Sequence, residues 1–555
     1  METDQLLSPS DLVGCRYRQV QKRRYPGLEL TAAAINRRRR LESARELVAS
    51  LFPSHPQLGD NRHFFRIDLL AVDETDPDDI DRAWLETLEA LAAGAHFIHN
   101  AVLQGRSAIM IDAGSGTLSD DHGGRTQLGS TTAGLEASES NLSDVRWVNW
   151  YVRVDALVRR KNGTYYPVLV TNHRVARPDS TRRVKVVGTS RLGLGNSGWA
   201  NFRLKSHAID SYSLALAARS LDSLGLGCQR GGLIGQDRQL TFLLDTDMLQ
   251  QGLDRALAVP TQHEARRIKE CAGCRFWQVC EPELVERDDI SLYLPGDRAA
   301  AFRAKGIDTV EGLVEADLGE ASRLADAWRK GILFLKKSPS IVIPRFDVEI
   351  DLDVEAYLDQ GAYLWGTFDG ETYRPFVTFD GIDQEGVSGE GENFARMWKW
   401  LSESRQQAAA EGKSFGVYCY SAHGENHWLR SSAQRFYRRI EGAPSPEEIQ
   451  EFINSGHWVD VFALVKKNVI GTAGLGLKQV GPAAGFHWMS EEIDGEESIT
   501  LYREAIGLDT TADVATARRL LLGYNADDCK ATRAVREWLD QQAPGAPLLK
   551  TDRDG

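Results

Sequence analysis

Two hydrophobic periods alternate along the 555 residues, and the places where one gives way to the other divide the chain. Helical spacing runs through ESARELVASLF in the 40s and through DRAWLETLEALAAGAHFIHNAVL from Asp81. A strand pair follows, WVNWYVRVDALVR over 147–159 and YYPVLVTN over Tyr165–Asn172, with Lys161-Asn162-Gly163 as its hairpin turn. A helix, IDSYSLALAARSLDSLG, and a strand, QLTFLLDTD, lead into helical sequence near a group of cysteines. Next, LPGDRAAAFRAKGIDTVEGLVEA gives a Pro-Gly turn, an apolar helix, a Gly-Ile turn and a short helix capped by Asp308 or Thr309. From about residue 341 the texture becomes alternating strands: RFDVEIDLDVE, GAYLWGTFDG, YRPFVTFDG and SFGVYCYSA. Mostly helical sequence then runs to Gln542.

These changes set an α/β multidomain organisation: a block at 1–285, a small helical connector at 286–340, a second α/β domain at 341–542 and a disordered tail at 543–555. Length alone requires more than one core. The connector is helix-hairpin-helix-like, a module that presents backbone amides to DNA phosphates; a plain helical spacer fits it equally. A β-meander followed by helices and a further strand suits a ribonuclease-H-like domain.

Composition alters this picture little. The chain is 42% hydrophobic and 26% charged, which is ordinary for a globular protein. It has no membrane-length apolar run, and METDQLLSPSDLVGCRY lacks the apolar core of a signal peptide, so a cytoplasmic location is expected. A net charge of −13 argues against a passive nucleic-acid coat. The cations are nevertheless clustered, at Arg37–Arg40, at Arg159, Arg160 and Lys161, and at Arg182, Arg183 and Lys185. Each cluster is either a solvated face or a phosphate track.

Of seven cysteines, Cys228, Cys419 and Cys529 stand alone and read as buried small hydrophobes. The others have ligand spacing. Cys271, Cys274 and Cys280 form C-x2-C-x5-C, and Cys15, in Cys15-Arg16-Tyr17-Arg18, is a fourth ligand more than 250 residues upstream. One early cysteine and a late C-x2-C-x5-C around a PD-(D/E)XK core resemble the iron–sulphur nucleases of the AddB and CRISPR-adaptation type. The resemblance implies a [4Fe–4S] cluster that ties the two ends of a RecB-like, restriction-endonuclease-like domain; structural zinc is the alternative. That family's catalysis needs an Asp on one strand and acidic-x-Lys on the next. Asp155 suits the first position, but Leu169 and Thr171 stand where the acid and lysine belong. The Gln-x3-Tyr of the following helix is absent from SYSLALAA; His96 or His99, read on the preceding helix, is a candidate for the upstream histidine, with a solvent-facing or core histidine the preferred reading. This domain is expected to keep its fold and not its catalysis.

The whole layout is similar to a bacterial family of RecB-like nucleases that carry a YprB-type, ribonuclease-H-like DEDD exonuclease domain. Such enzymes hold two divalent metals, Mg²⁺ or Mn²⁺, on four carboxylates. The first two come as Asp-x-Glu on the opening strand, where period two places both on one face. Two registers qualify, Asp347/Glu349 and Asp353/Glu355. Pro344 disfavours a central strand before it, so the strand starts near Arg345 and the second pair falls at its far end, which favours that pair; the first stays open. Glu425, at a helix start after the strand ending at Tyr420, is the third carboxylate, with Asp460 as an alternative. GLGLKQVGPAAGFHW matches the family's LK…GF-x-W stretch and places Lys478 for a phosphate. In LLLGYNADDCKATRAVREWL, Tyr524 and Asp528 share a helix face as Tyr-x3-Asp, and Asp527 points elsewhere. By the resemblance Asp528 binds metal and Tyr524 orients the water.

The expected function is a metal-dependent exonuclease or phosphodiesterase acting on DNA or RNA through its C-terminal domain. The N-terminal domain would bind or guide nucleic acid. The rival is a non-catalytic nucleic-acid-binding scaffold with both sites decayed, serving a helicase.

Overall fold

The protein is described from a computed structural model covering residues 6–54, 64–110, 145–357, 361–380, 389–490, 493, 495–508 and 513–549. It divides into two compact units, Met1–Cys280 and Glu281–Gly555.

The first unit is built on an eight-stranded sheet. Its order is Arg66–Asp68, Phe97–Met110, Val145–Arg159, Tyr165–Val170, Arg230–Ile234, Leu240–Asp245, Val184–Gly188 and Gly198–Ala200. Tyr165–Val170 pairs antiparallel with Val145–Arg159 and parallel with Arg230–Ile234. All six of its residues are buried, as a strand covered on both faces requires. The helix Ala208–Ser223 covers one face with Leu214 and Leu221, both fully buried. Each such leucine contributes about 1.5–3 kcal/mol. On the other face Val48, from the helix Ala32–Leu51, joins a core with Phe97, Val158 and Val168. The hairpin turn is formed: Gly163 takes φ +87°, and Asn162 accepts hydrogen bonds from the backbone and hydroxyl of Thr164.

One helix of the sequence reading is too long. Capped by Asp76 and started by Pro77, it ends at Ala92, and Gly94 at φ +69° turns the chain into the strand Phe97–Met110. Phe97 enters one core, while Ile98, Ala101 and Leu103 enter the other. A strand buried on both faces loses its alternation and imitates a helix. His99 therefore lies on a strand and His96 just before it, not on a helix.

The second unit holds a five-stranded sheet ordered Tyr373–Val377, Gly361–Phe368, Val348–Tyr357, Phe415–Cys419 and Trp458–Asp460. The first three form an antiparallel meander, and the last two run parallel to Val348–Tyr357. Phe394, Met397, Leu429 and Ile449, from three helices, cover one face. The 27-residue helix Val514–Asp540 lies across the other. The central strand begins at Val348, three residues after Arg345, because Pro344 and the side-chain contacts around Arg345 hold the chain outside the ladder.

Within 286–340 the helices Val310–Glu315 and Glu320–Arg329 enclose a small core of Ile290, Tyr293, Val310, Leu313 and Ala325. Thr309 accepts from the Gly312 amide and so caps the first of them; Asp308 instead meets Arg303 at 2.9 Å. The strand Phe334–Lys336 pairs with Val469–Gly471, so packing around the second sheet begins before residue 341. The tail is also not disordered along its described part. Ala543 and Ala546 are buried near Trp538, and Leu549 N–H donates to Lys336 O. Two alanines small enough to pack and a free edge at Lys336 explain the order; residues 550–555 lie outside the described region. Among the described residues no helix is long and apolar enough to cross a membrane.

Candidate metal centre

The strand DVEIDLDVE places acids at 347, 349, 351, 353 and 355 and apolar residues between them. Period two sends Ile350 and Leu352 into the core, leaving one face of the strand acidic. The helix Val514–Asp540 covers that face and treats its two ends differently. Toward the start of the strand lies Arg536, fully buried, with its guanidinium 2.7 Å from both Glu349 and Asp351. Arg345 and the Tyr418 hydroxyl also bond Glu349, whose carboxyl is held down near 2 although burial opposes this. Asp347 is exposed and accepts from the Ser414 amide and hydroxyl. The Asp347/Glu349 register is thus occupied by structural contacts, and Asp351, which the sequence reading did not single out, joins them.

At the other end the helix supplies no cation. Carboxylate oxygens of Asp353, Glu355 and Asp528 all lie within 4.8 Å of one another. A register shift of the strand falls between Glu355 and Ala356, re-aiming the backbone beside this group. The neighbours are neutral donors: Asn525 to Asp353 at 2.7 Å, Ser498 to Glu355 at 2.8 Å, and the Trp488 indole to Asp528 at 2.7 Å. Tyr373 O–H in turn fixes Asn525. Tyr524 hydrogen-bonds Asp528, and Lys478 Nζ stands 5.3 Å from the Tyr524 ring centre, bonded to Ile493 O.

Burial and mutual repulsion set the electrostatics. Burial first, then Asp528, pushes Glu355 up to about 8 against the Ser498 and Asn525 hydrogen bonds. Asp528 is raised to about 6, chiefly by burial, and Asp353 is raised by burial and then by Asp528, Glu355 and Glu425. Such a cluster of carboxyls disfavours its own ionisation and favours a cation or a shared proton. Oxygen donors of this kind suit Mg²⁺ or Mn²⁺.

Glu425 sits in the first turn of the helix Ala422–Phe436, near enough to act on Asp353 but outside the close trio. It is buried, pushed up to about 8, and its Oε2 has no hydrogen-bond partner among the described residues. Asp460, the alternative third carboxylate, lies near enough to Glu425 to raise it and is also engaged by neighbours. It caps the helix Val461–Asn468 through the Ala463 amide and holds the Ser421 amide at 3.3 Å. Asp527 accepts from the Met489 amide, on another side of the helix from Asp528. Sequence reasoning missed Asn525, Ser498 and Asp351. Asn525 adjoins Tyr524 in YNADD and Asp351 continues the alternation, but no spacing points to Ser498.

In the first unit Asp155 is buried and fully used, by Arg45 at 2.9 Å and the Val170 amide at 2.6 Å. Leu169 is buried, and the Thr171 hydroxyl donates to carbonyls of His173 and Ile234. His99 pairs with Asp68 at 3.2 Å. Burial pushes up the thiols of Cys15 and Cys271, and Cys15, Cys271 and Cys274 act on one another electrostatically. N–H donors reach three sulphurs: Tyr17 and Arg18 amides to Cys15, Ile268 N–H to Cys271, and the Gln21 amide to Cys280. A tetrahedral zinc with bonds of ~2.3 Å would bring its sulphurs to about 3.8 Å apart. Among the described residues no three thiols lie within 4.8 Å of one another.

A family model of the RNase_H superfamily matches residues 352–540, the span that contains the acidic trio and its helix. Residues 352–540 form an RNase-H-like domain. The RNase-H-like domain belongs to a fold whose members are generally hydrolytic nucleases, so its carboxylates fit nuclease-type chemistry on nucleic acid with a divalent metal. No curated protein and no solved structure matches the chain at a significant level.

Proposed function

We propose that this protein is a metal-dependent nuclease of DEDD exonuclease type, hydrolysing DNA or RNA phosphodiesters through the RNase-H-like domain at 341–542. The observation that carries the reading is the division of the acidic face: Arg536 neutralises Glu349 and Asp351 by direct ion pairs, whereas among the described residues Asp353, Glu355 and Asp528 converge with no ion-paired cation, Lys478 acting on Glu355 and Asp528 without pairing to them. Mg²⁺ or Mn²⁺ would be held by these three and by Glu425, whose orphaned buried oxygen fits a ligand. When bound, the metals supply a polarised water and stabilise the leaving oxygen. Tyr524, fixed by Asp528, would orient the attacking water, and Asn525, Ser498 and Trp488 keep the carboxylates aimed. Lys478 supplies a cation beside Tyr524 for a phosphate.

Residues 1–285 are read as a RecB-like domain whose nuclease site has decayed: Asp155 is ion-paired to Arg45, and its neighbours are Leu169 and Thr171. Cys15, Cys271, Cys274 and Cys280 would hold a [4Fe–4S] cluster. The ligand spacing along the chain, one early cysteine and a later C-x2-C-x5-C, supports this reading, with structural zinc as the alternative. Residues 286–340 serve as the helix-hairpin-helix-like connector. The rival, a non-catalytic scaffold for a helicase, predicts binding without cleavage.

The deciding experiment digests end-labelled single-stranded DNA and RNA with Mg²⁺ or Mn²⁺. The wild type should shorten at least one of them, Asp528→Asn should not, and Asp155→Asn should act like the wild type. Loss of cleavage in Asp155→Asn with retention in Asp528→Asn places the chemistry in the other unit and ends this reading.

A further inference from the structure

At the hairpin end of the first sheet lies a cavity of about 720 Å³, within the range that accepts a nucleotide-sized ligand. Arg159, Arg160, Lys161 and Arg230 line it, and no carboxylate among the described residues does. Among the described residues none of these four is in an ion pair, in a chain whose net charge is −13. Four unpaired cations around one concavity repel one another, and an anion entering it relieves that repulsion. Val158, Val187 and Leu243 add apolar lining, and Tyr166 and Phe64 add aromatic surface.

The loop Gly193-Leu-Gly-Asn-Ser197 also lines it. Gly193 takes φ +75°, a conformation that favours glycine, and an added Cβ there would make only ordinary contacts with Val158 and Phe64 at 3.4 and 3.6 Å. At Gly195 an added Cβ would come within 2.9 Å of Arg191. Both glycines bring backbone close to the cavity, and Asn196 and Ser197 add neutral hydrogen-bonding groups to its lining. A lining that combines apolar, aromatic, neutral polar and cationic groups suits a base and sugar joined to a phosphate.

We infer that this cavity binds a nucleoside phosphate, as the phosphorylated end of a nucleic-acid strand or as a free nucleotide. The site belongs to the first unit, so it stands whether or not the C-terminal carboxylates cut. Asp155 is not among its lining residues, which separates it from the decayed nuclease position.

The test uses full-length Asp528→Asn protein in EDTA, where cleavage cannot interfere, and fluorescence anisotropy of a short labelled strand. Strands carry a 5′-phosphate, a 3′-phosphate or hydroxyls at both ends. A phosphorylated strand should bind about tenfold more tightly than the hydroxyl strand, the loss expected from one charge-assisted contact. Arg160→Glu/Lys161→Glu should erase that preference. Arg182→Glu/Arg183→Glu, an equal charge change at exposed positions outside the cavity, should keep it. Both double variants are checked for unchanged melting temperature; if the first melts early, the exposed Lys161→Ala replaces it and should weaken the preference. Competition by adenosine monophosphate marks a free-nucleotide site, and failure to compete while the preference persists marks a strand-end site; either outcome supports the inference. Equal binding of phosphorylated and hydroxyl strands, or equal loss in both double variants, overturns it.

Discussion

Arg536 determines what the acidic strand can do. Its guanidinium is fully buried between Glu349 and Asp351, so removing it leaves two carboxylates buried and unpaired. Arg536→Met should destabilise the C-terminal unit by about 3–5 kcal/mol, read as a lower midpoint in urea followed by tryptophan fluorescence. Asp353, two residues farther along the same face, should respond oppositely. Its charge is repelled by Asp528, Glu355 and Glu425, and Asn525 is its hydrogen-bonding neighbour. Asp353→Asn should raise the melting temperature in EDTA while cutting metal-dependent cleavage by roughly 10²–10³-fold, the scale of a lost charge-stabilising group. A lower melting temperature in EDTA would assign Asp353 to structure instead of metal binding.

At the scale of elements, the helix Val514–Asp540 serves both ends of that face. Arg536 and Asp528 are eight positions apart, about 12 Å along the axis, so one rigid rod can close a salt bridge at one end and leave acids facing at the other. This makes stability depend on pH. In the folded, metal-free domain Glu355 titrates near 8 against an ordinary 4.5, and Glu425 does likewise. The folded state therefore holds protons that the unfolded chain has released between those values. Their stabilisation is complete below about 4.5 and is lost as pH rises toward 8. The melting temperature in EDTA should fall between pH 5 and 8, and Mn²⁺ should raise it more at pH 8 than at pH 6, because bound metal replaces those protons. Calorimetry across that range checks both signs. The tail acts through the same unit. Backbone bonds of 543–549 to Trp538 and Lys336 and the Trp538 indole bond to Pro544 tie it down. Removing residues 543–555 should cost about 2 kcal/mol, at roughly 1 kcal/mol or less for each hydrogen bond, in the same urea assay.

At the scale of the whole molecule, the ligand set proposed for the cluster would join Cys15 to cysteines more than 250 residues later within one unit. A ligand that closes so long a loop stabilises by restricting the unfolded chain. Protein purified without oxygen should be brown, with broad visible absorbance that Cys274→Ser abolishes along with part of the first unit's thermal stability. A colourless protein with stoichiometric zinc would replace the iron–sulphur assignment.

Much of this was legible because the responsible forces are local. Period two in DVEIDLDVE forced the acids onto one face, Tyr524 and Asp528 had to share a helix face, and Asn162-Gly163 marked a turn that the hairpin makes. The alternation was lost where a strand is buried on both sides, which is why FIHNAVL read as helix. Only the tertiary structure decided which acids stay unpaired, since that depends on how a helix some 170 residues later lies against the strand. Ser498 beside Glu355, and the cations that share a cavity with the glycine loop at 193–197, are equally beyond spacing. Sequence set which groups exist and which face each takes; packing set the charges each one meets, because electrostatic partners are chosen by distance in space and not along the chain.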